Sequence, residues 1–493
     1  MAIDLRQTES ETREQRLGSI TGYDGTLEDL TSRGCAGCLK NKLRDFQTVS
    51  SCAHHHAINQ LAGLDGTLVV DHAPIGCAGA QIGFSVAKNR LPMAPGDPPL
   101  EHAKVVSSGI DEADTIFGAI EKLKSTVRDA YRRHKPQEIY VTTSCTSAVI
   151  GEDVYSAVLE LREELGIPVE IASGEGLRSK IWASGFDSYS HAVSKVRFGK
   201  PEKKNNTINY LGFAPSGRQF VDPLFERLGL EVICLTAGAT REDFQRATMS
   251  VASWGQCSSQ SNYICSVLEQ EYGVRYLQTH LPYGGIGFER FFRDLGELTG
   301  KADIAEQVIA EEKAKYSEQI EALKSKLTGK RALVALGSGF AFEYTRVLGE
   351  LGIDVVHTIA YHYDPVLDQN NIDSDLAVVA DVKELKLNLD VSVNDAQEME
   401  TNLLMKRYNP DFLLSRGHEA AAWAYRQGIP AMDSEIGFVI MGYRGLVEFG
   451  TTLVELLGNT NFVRKFGARY RSPFTREYEN LNPFSFYRKE EAM

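Results

Sequence analysis

Ile139-Tyr-Val-Thr-Thr-Ser-Cys-Thr-Ser147 decides the fold. Its first five residues, through Thr143, are β-branched or aromatic and read as a buried strand. Small, turn-forming residues follow at once and carry Cys145. Downstream, Val154 to Leu165 has helical spacing and Pro168-Val-Glu-Ile-Ala172 reads as another strand. Upstream, Asp65-Gly-Thr-Leu-Val-Val-Asp71 is a strand that runs into His72-Ala-Pro-Ile-Gly-Cys77, with a helical pattern over Asp111 to Leu123. Strands alternating with helices imply a parallel sheet covered by helices.

The same alternation recurs twice. A second unit opens with Thr207 to Phe213, continues through a helix over Phe220 to Leu228, and adds the strand Glu231-Val-Ile-Cys-Leu235. A third opens with Arg331 to Gly337 and continues to Ile353-Asp-Val-Val-His357. Between them, Asp303 to Leu327 places Tyr316, Ile320, Leu323 and Leu327 at helical spacing, which predicts a long, partly exposed linking helix. The expected division is a polar N-terminal arm (1–50) that wraps a neighbour, α/β domains over 51–205, 206–328 and 329–460, and an extension over 461–493.

The 493 residues suit several domains, and 43% hydrophobic residues supply them with cores. A net charge of −13 argues against nucleic acid as a partner, since phosphate neutralisation needs a basic surface. No run of about 18 apolar residues is present, so no membrane span is expected. The N-terminus lacks the apolar core of a signal peptide. Eight cysteines are too sparse for a disulfide scaffold and suit a cytoplasmic protein that uses thiols as metal ligands.

Cys52, Cys77 and Cys145 each stand where an apolar run gives way to small residues, and Cys77 and Cys145 fall at or just beyond strand ends. Sites in open α/β sheets gather at the carboxyl ends of strands. Three thiols so presented suit an iron–sulfur cluster, which usually takes four thiolates. A second chain is then expected to complete the set. Cys257 precedes a helix, where a thiolate is favoured, whereas Cys265 inside that helix reads as core. Cys35-Ala-Gly-Cys38 has metal-site spacing but no second pair to complete a zinc site, and reads as surface thiols. His54-His-His56 reads as a helix start beside Cys52. Gly337-Ser-Gly339 and Ala214-Pro-Ser-Gly217 complete no nucleotide-binding motif and read as tight turns.

Over about residues 45–460 these segments resemble the α-type subunits of nitrogenase and nitrogenase-like reductases. The resemblance implies three Rossmann-like parallel-sheet domains around a central metal-cluster cavity. It implies that Cys52, Cys77 and Cys145 ligate a P-cluster-like iron–sulfur cluster at the interface with a β-type subunit. Gln256-Cys257-Ser-Ser-Gln-Ser-Asn-Tyr-Ile264 matches the segment whose cysteine holds a second large iron–sulfur cofactor. An α2β2 heterotetramer is implied, together with a separate iron protein that uses ATP to deliver electrons.

The departures matter as much. Glu175-Gly-Leu-Arg178-Ser-Lys-Ile-Trp182-Ala-Ser-Gly185-Phe186-Asp187 lacks the family's histidine pair, so Trp182 and Phe186 are expected to make an apolar wall. Gly337-Ser-Gly-Phe340-Ala-Phe342 replaces the loop that contacts the cofactor, and the lysine that helps hold homocitrate is replaced near His418-Glu419. The second cofactor ligand falls on Asp433, with Glu435 and His418 as rivals. Within the family the chain is most similar to a methylthio-alkane reductase catalytic subunit. That group cleaves methylated sulfides to methanethiol and a small hydrocarbon. A cofactor-assembly scaffold and a true nitrogenase α subunit are the competing members.

Overall fold

The computed structural model describes residues 2–32, 52–77, 104–201, 203–212, 218–277, 281–365, 381–382, 384–385, 389–395, 397–416, 420–433 and 440–484. In chain order its strands are β1 (Tyr23–Thr26), β2 (Thr67–His72), β3 (Lys104–Ser107), β4 (Glu138–Thr143), β5 (Val169–Ser173), β6 (Thr207–Leu211) and β7 (Glu231–Leu235). They continue with β8 (Ala252–Gly255), β9 (Arg275–Tyr276), β10 (Arg331–Leu336), β11 (Asp354–Ala360), β12 (Asp390–Val393), β13 (Phe412–Ser415) and β14 (Ala431–Asp433). The helices that position the sites are α1 (Arg13–Leu17), α2 (Ala53–Leu61), α3 (Asp114–Phe117), α4 (Ile120–His134), α5 (Cys145–Ile150), α6 (Val154–Leu165), α7 (Ser184–Arg197), α8 (Ser258–Tyr272), α9 (Ala302–Leu327) and α10 (Ser338–Glu350).

These elements build an α/β fold with three sheets, ordered β3-β2-β4-β5, β7-β6-β8-β9 and β1-β12-β11-β10-β13-β14. The first two are parallel throughout, and in the third only β1 runs antiparallel. Chain contacts group them into two compact units. One holds residues 1–16, 51–215 and 230–276, and with them the first two sheets. The other holds 17–50, 216–229 and 277–493, and with them the third.

In the first unit, β2 and β4 are buried along their whole length, as strands covered on both faces must be. One apolar cluster joins Val69 and Tyr140 of the first sheet to Leu211, Ile233 and Leu235 of the second, with Ala192, Val193 and Ile264 from α7 and α8 between them. Cys265 lies in that core, fully buried, and burial pushes its thiol well up from the ordinary value. Arg197 stitches the layers, with Nε on Glu138 Oε1 at 2.5 Å and Nη1 on the Ala239 carbonyl at 2.9 Å.

Three segments differ from their sequence reading. The helical pattern over Asp111 to Leu123 breaks at Gly118, whose φ of 90° no helix accommodates, and resumes as α4. β3 pairs beside β2, although Lys104-Val-Val-Ser107 is too short to show a period. Described residues of the expected arm fold onto this chain itself. The two guanidinium groups of Arg13 and Arg16 lie 2.9 and 2.8 Å from the buried Asp187 carboxylate, and β1 pairs with β12. Two arginines around one buried carboxylate satisfy its charge, which is why so polar a stretch can be buried.

The long helix α9 forms where its spacing suggests, burying Ile320, Leu323 and Leu327 on one face, and lies wholly within the second unit. In the second unit, fully buried Arg346 on α10 is 2.6 Å from Glu343 and 2.5 Å from Glu350. Glu350 also accepts from the Gly285 N–H at 2.7 Å, capping the helix Gly284–Thr299.

Candidate metal-cluster site and cofactor thiol

β2 and β4 lie side by side, with His72 opposite Thr143, so the segments leaving them carry Cys77 and Cys145 out at the same sheet end. Ser144 follows β4 and is the N-cap of α5, in a reciprocal capping box with Ser147 that sets Cys145 as the first residue of the helix. Cys52 is the N-cap of α2. His54 fixes that helix start, with Nδ1–H donating to the Thr143 carbonyl at 2.8 Å and Nε2 lying 2.8 Å from Asp71.

The two helix-start thiols meet at Gly176. A Cβ there would stand 2.9 Å from Cys52 Cβ, 3.5 Å from Cys52 Sγ and 3.7 Å from Cys145 Sγ. The two sulfurs are therefore separated by no more than the sum of the last two distances, and the bare glycine backbone forms the wall between them. Cys77 joins the group electrostatically. Burial, then the Asp71 carboxylate, then the thiols of Cys52 and Cys145 push its thiol up from the ordinary value. Desolvation, with a contribution from Cys145, likewise raises Cys52, although the residue itself reaches the surface. Thiols raised in this way stay protonated until a metal's charge displaces the proton. Among the described residues no group of three His, Cys, Asp or Glu side chains is gathered closely enough to hold a single metal ion. The donor set fits a cluster, whose thiolates bind different irons, better than one ion.

The surroundings of these thiols are open and mix carboxylates with exposed apolar side chains. A cleft of about 510 Å³ passes Cys145 and is lined by Val149, Glu152, Glu175 and Leu177. Glu175 beside Gly176 accepts from Thr143 Oγ1, and burial raises its carboxyl above the ordinary range. Ile75, Val149 and Leu177 are 72%, 77% and 79% exposed, each within four residues of a site cysteine or Gly176. On α3, which packs against α5, Ile116 and Phe117 are exposed as well. Large aliphatic and aromatic side chains left in water around one site mark a surface that another molecule covers.

Cys257 lies elsewhere in the same unit. It follows β8, is buried, and is the N-cap of α8, as its sequence position suggests. The Gln260 and Ser261 N–H groups donate to its carbonyl at 3.1 and 3.0 Å, which leaves its side chain outside the helix. Gln260 reaches back to α2, where its Nε2 donates to Gln60 Oε1 at 2.8 Å.

Trp182 and Phe186 flank the start of α7 with ring centroids 5.9 Å apart. The wall they form is not purely apolar, contrary to the sequence reading. His56 of α2 packs its imidazole 4.6 Å from the Trp182 ring and 5.0 Å from Phe186. The contact joins segments far apart in the chain, so no local pattern announces it. Phe340 and Phe342 belong to the second unit, in the first two turns of α10, where Gly337 is the N-cap rather than part of a free turn. Asp433 ends β14, opposite Ser415, and is exposed. Its charge adds to burial in raising the Tyr361 hydroxyl. His418, Glu419, Glu435, Cys35, Cys38 and the Ala214–Gly217 segment lie outside the described residues.

Residues 52–457 match the family of nitrogenase component 1 type oxidoreductases. The nitrogenase molybdenum-iron protein alpha chain of Methanosarcina barkeri is 31% identical over 298 residues, 58% of this chain and 54% of that one. The chain thus spans little more than half the length of that relative. The nitrogenase iron-molybdenum cofactor biosynthesis protein NifE of Methanococcus maripaludis is 25% identical over 424 residues, 84% of each chain. The solved structure of nitrogenase Cp1 at pH 5 superposes with a TM-score of 0.69 at 24% identity, covering 86% of this chain and 92% of that one, which shows a shared fold.

Proposed function

The chain belongs to the nitrogenase component 1 type oxidoreductases, and from that premise we propose that it is the catalytic α-type subunit of an ATP-dependent, two-component reductase. The observation that carries this is the meeting of Cys52 and Cys145 at Gly176, at the sheet end from which the segment bearing Cys77 also leaves, among exposed apolar side chains. Three thiols suit an incomplete ligand set, and the exposed apolar side chains suit the β-type subunit that completes it. Ile75, Val149 and Leu177 are the side chains such a partner would cover. A cluster bound there supplies electron storage between a separate iron protein and the active site.

Cys257, the N-cap of a well-formed helix, would hold one end of the second iron–sulfur cofactor, with Asp433 as the second ligand. The substrate class we propose is a methylated thioether. Two electrons and two protons convert it to methanethiol and a hydrocarbon, with the carbon–sulfur bond broken and one hydrogen added to each fragment. The rings of Trp182 and Phe186 favour an alkyl sulfide by contact. The division into domains at 51–205, 206–328 and 329–460, the α2β2 assembly and a cytoplasmic location belong to the same proposal. For membranes, the structural statement is that no helix among the described residues is long and apolar enough to cross one.

A second reading, a cofactor-assembly scaffold, is favoured by the likeness to NifE along 84% of both chains. Anaerobic purification with the β-type partner separates the two. Sustained release of methane and methanethiol from dimethyl sulfide, dependent on the iron protein and ATP, supports the catalytic reading. A complex that gives up its cluster to an acceptor and turns over no sulfide establishes the scaffold instead. Iron and molybdenum analysis of the same sample fixes the metal content.

A further inference from the structure

We propose, on the reading of Cys52 and Cys145 as cluster ligands given above, that Glu14 is a positioning residue of the interface-cluster site. It braces the turn whose bare backbone at Gly176 stands between the two thiols. Between the end of β5 and the start of α7 the chain runs without strand or helix, and Gly176 lies there. The Arg178 N–H donates to the Glu175 carbonyl at 3.0 Å and closes a turn around Gly176 and Leu177. Gly176 has no side chain to anchor it, so its place beside the thiols is set by what holds the turn.

The leading segment of the chain holds it. Arg178 extends Nη1 to the Glu9 carboxylate, 2.9 Å away, and Nη2 donates to the Ser10 carbonyl at 2.9 Å. Glu14, in the first turn of α1, receives the donors that come next. One of its carboxylate oxygens accepts from Ser179 Oγ at 2.7 Å. The other accepts from the Lys180 N–H at 2.7 Å and the Ile181 N–H at 3.3 Å. Backbone N–H groups outside strands and helices need a partner, and a carboxylate is a strong one. A single side chain thus fixes three consecutive residues. Ser10, Ala53, Glu175 and Arg178 line one small cavity, so the leading segment, the turn and the residue after Cys52 face a common space. Anchoring of the N-terminus does not require Glu14, because Arg13 and Arg16 already lock α1 onto Asp187. Its printed bonds go to the turn instead. The tolerance there is small, since a Cβ at Gly176 would stand only 2.9 Å from Cys52 Cβ. The brace precedes residue 52, where the family match begins.

The test challenges the anaerobically purified complex with its β-type partner with an iron chelator. Each cluster is followed in time by electron paramagnetic resonance of dye-oxidised samples. Removing a group that orients metal ligands from outside costs tenfold or more in metal affinity. We expect Glu14→Ala to lose the interface-cluster signal about tenfold faster than the parent, while the Cys257-held centre decays at the parent rate. Amide hydrogen exchange gives a readout independent of either cluster, and the Lys180 and Ile181 N–H groups should exchange faster in Glu14→Ala. Glu14→Gln keeps an acceptor oxygen for those amides and offers Ser179 a donor, so it should restore both properties. Should Glu14→Ala not fold, Arg178→Gln makes the same test at the half-exposed pair with Glu9. A variant that keeps its interface cluster as long as the parent overturns the inference and leaves the cluster reading standing. Equal acceleration in the loss of both centres overturns it too, because the effect is then general. A parent complex whose interface signal survives Cys52→Ala and Cys145→Ala overturns the cluster reading, and the inference with it.

Discussion

At the scale of single residues, Gly176 is the position on which the thiol site depends most closely. A methyl group there meets Cys52 Cβ at 2.9 Å and stands in van der Waals range of both sulfurs. Gly176→Ala is therefore expected to displace Cys52 and lower cluster occupancy without unfolding the first unit. Iron content and the cluster's absorbance in the purified complex check this. An occupancy equal to the parent would show that the glycine wall is incidental. The thiols themselves were legible in the sequence because strand-to-helix junctions are local: Ser144, Cys145 and Ser147 sit within one capping box. Gly176 and His56 were not, since both act through contacts with segments distant in the chain. The signal that finds them is only the company they keep, a glycine after a buried strand and a histidine run after Cys52.

At the scale of elements, helix packing decides whether the wall beside Trp182 forms. Gly185→Ala would place its methyl group against the Ala53 carbonyl, a backbone atom with little room to yield. Overpacking of this kind costs about 1–3 kcal/mol, and the measured loss of unfolding free energy should fall in that range or above. A neutral result would mean that α2 and α7 are farther apart than described. Strand β11 carries a second device. Burial lowers the pKa of His357 to about 3, and its Nε2 lies 3.0 Å from Ser392 Oγ. A histidine held neutral in the fold but free to charge when unfolded stabilises fully above its unfolded pKa of about 6.5 and loses that contribution as pH falls towards 3. The loss is about 1.4 kcal/mol per pH unit in that window. His357→Asn should flatten the acid limb of the stability curve, as denaturant titrations at pH 6 and pH 4 would reveal. The long strands and α9 were readable because their periods run over many residues, whereas β3 spans only four and Gly118 splits a pattern that looks continuous.

At the scale of the whole molecule, the repeated strand–helix alternation gave the α/β class, and the three sheets follow from it. How contacts group those sheets into two units was not legible, because a unit such as 216–229 with 277–493 joins segments distant in sequence. The reading as one half of a shared cluster makes two kinds of thiol independent. Cys257→Ala is expected to abolish turnover while the cluster held by Cys52, Cys77 and Cys145 keeps its spectrum, and loss of both signals together would contradict separate sites. The most direct test of the central claim is iron bound by this chain purified anaerobically alone and with its β-type partner. The account predicts a complete interface cluster only in the complex, lost when Cys52, Cys77 or Cys145 is replaced by Ala. A stable monomer carrying a full cluster, or a complex whose iron is unchanged by all three substitutions, would contradict it.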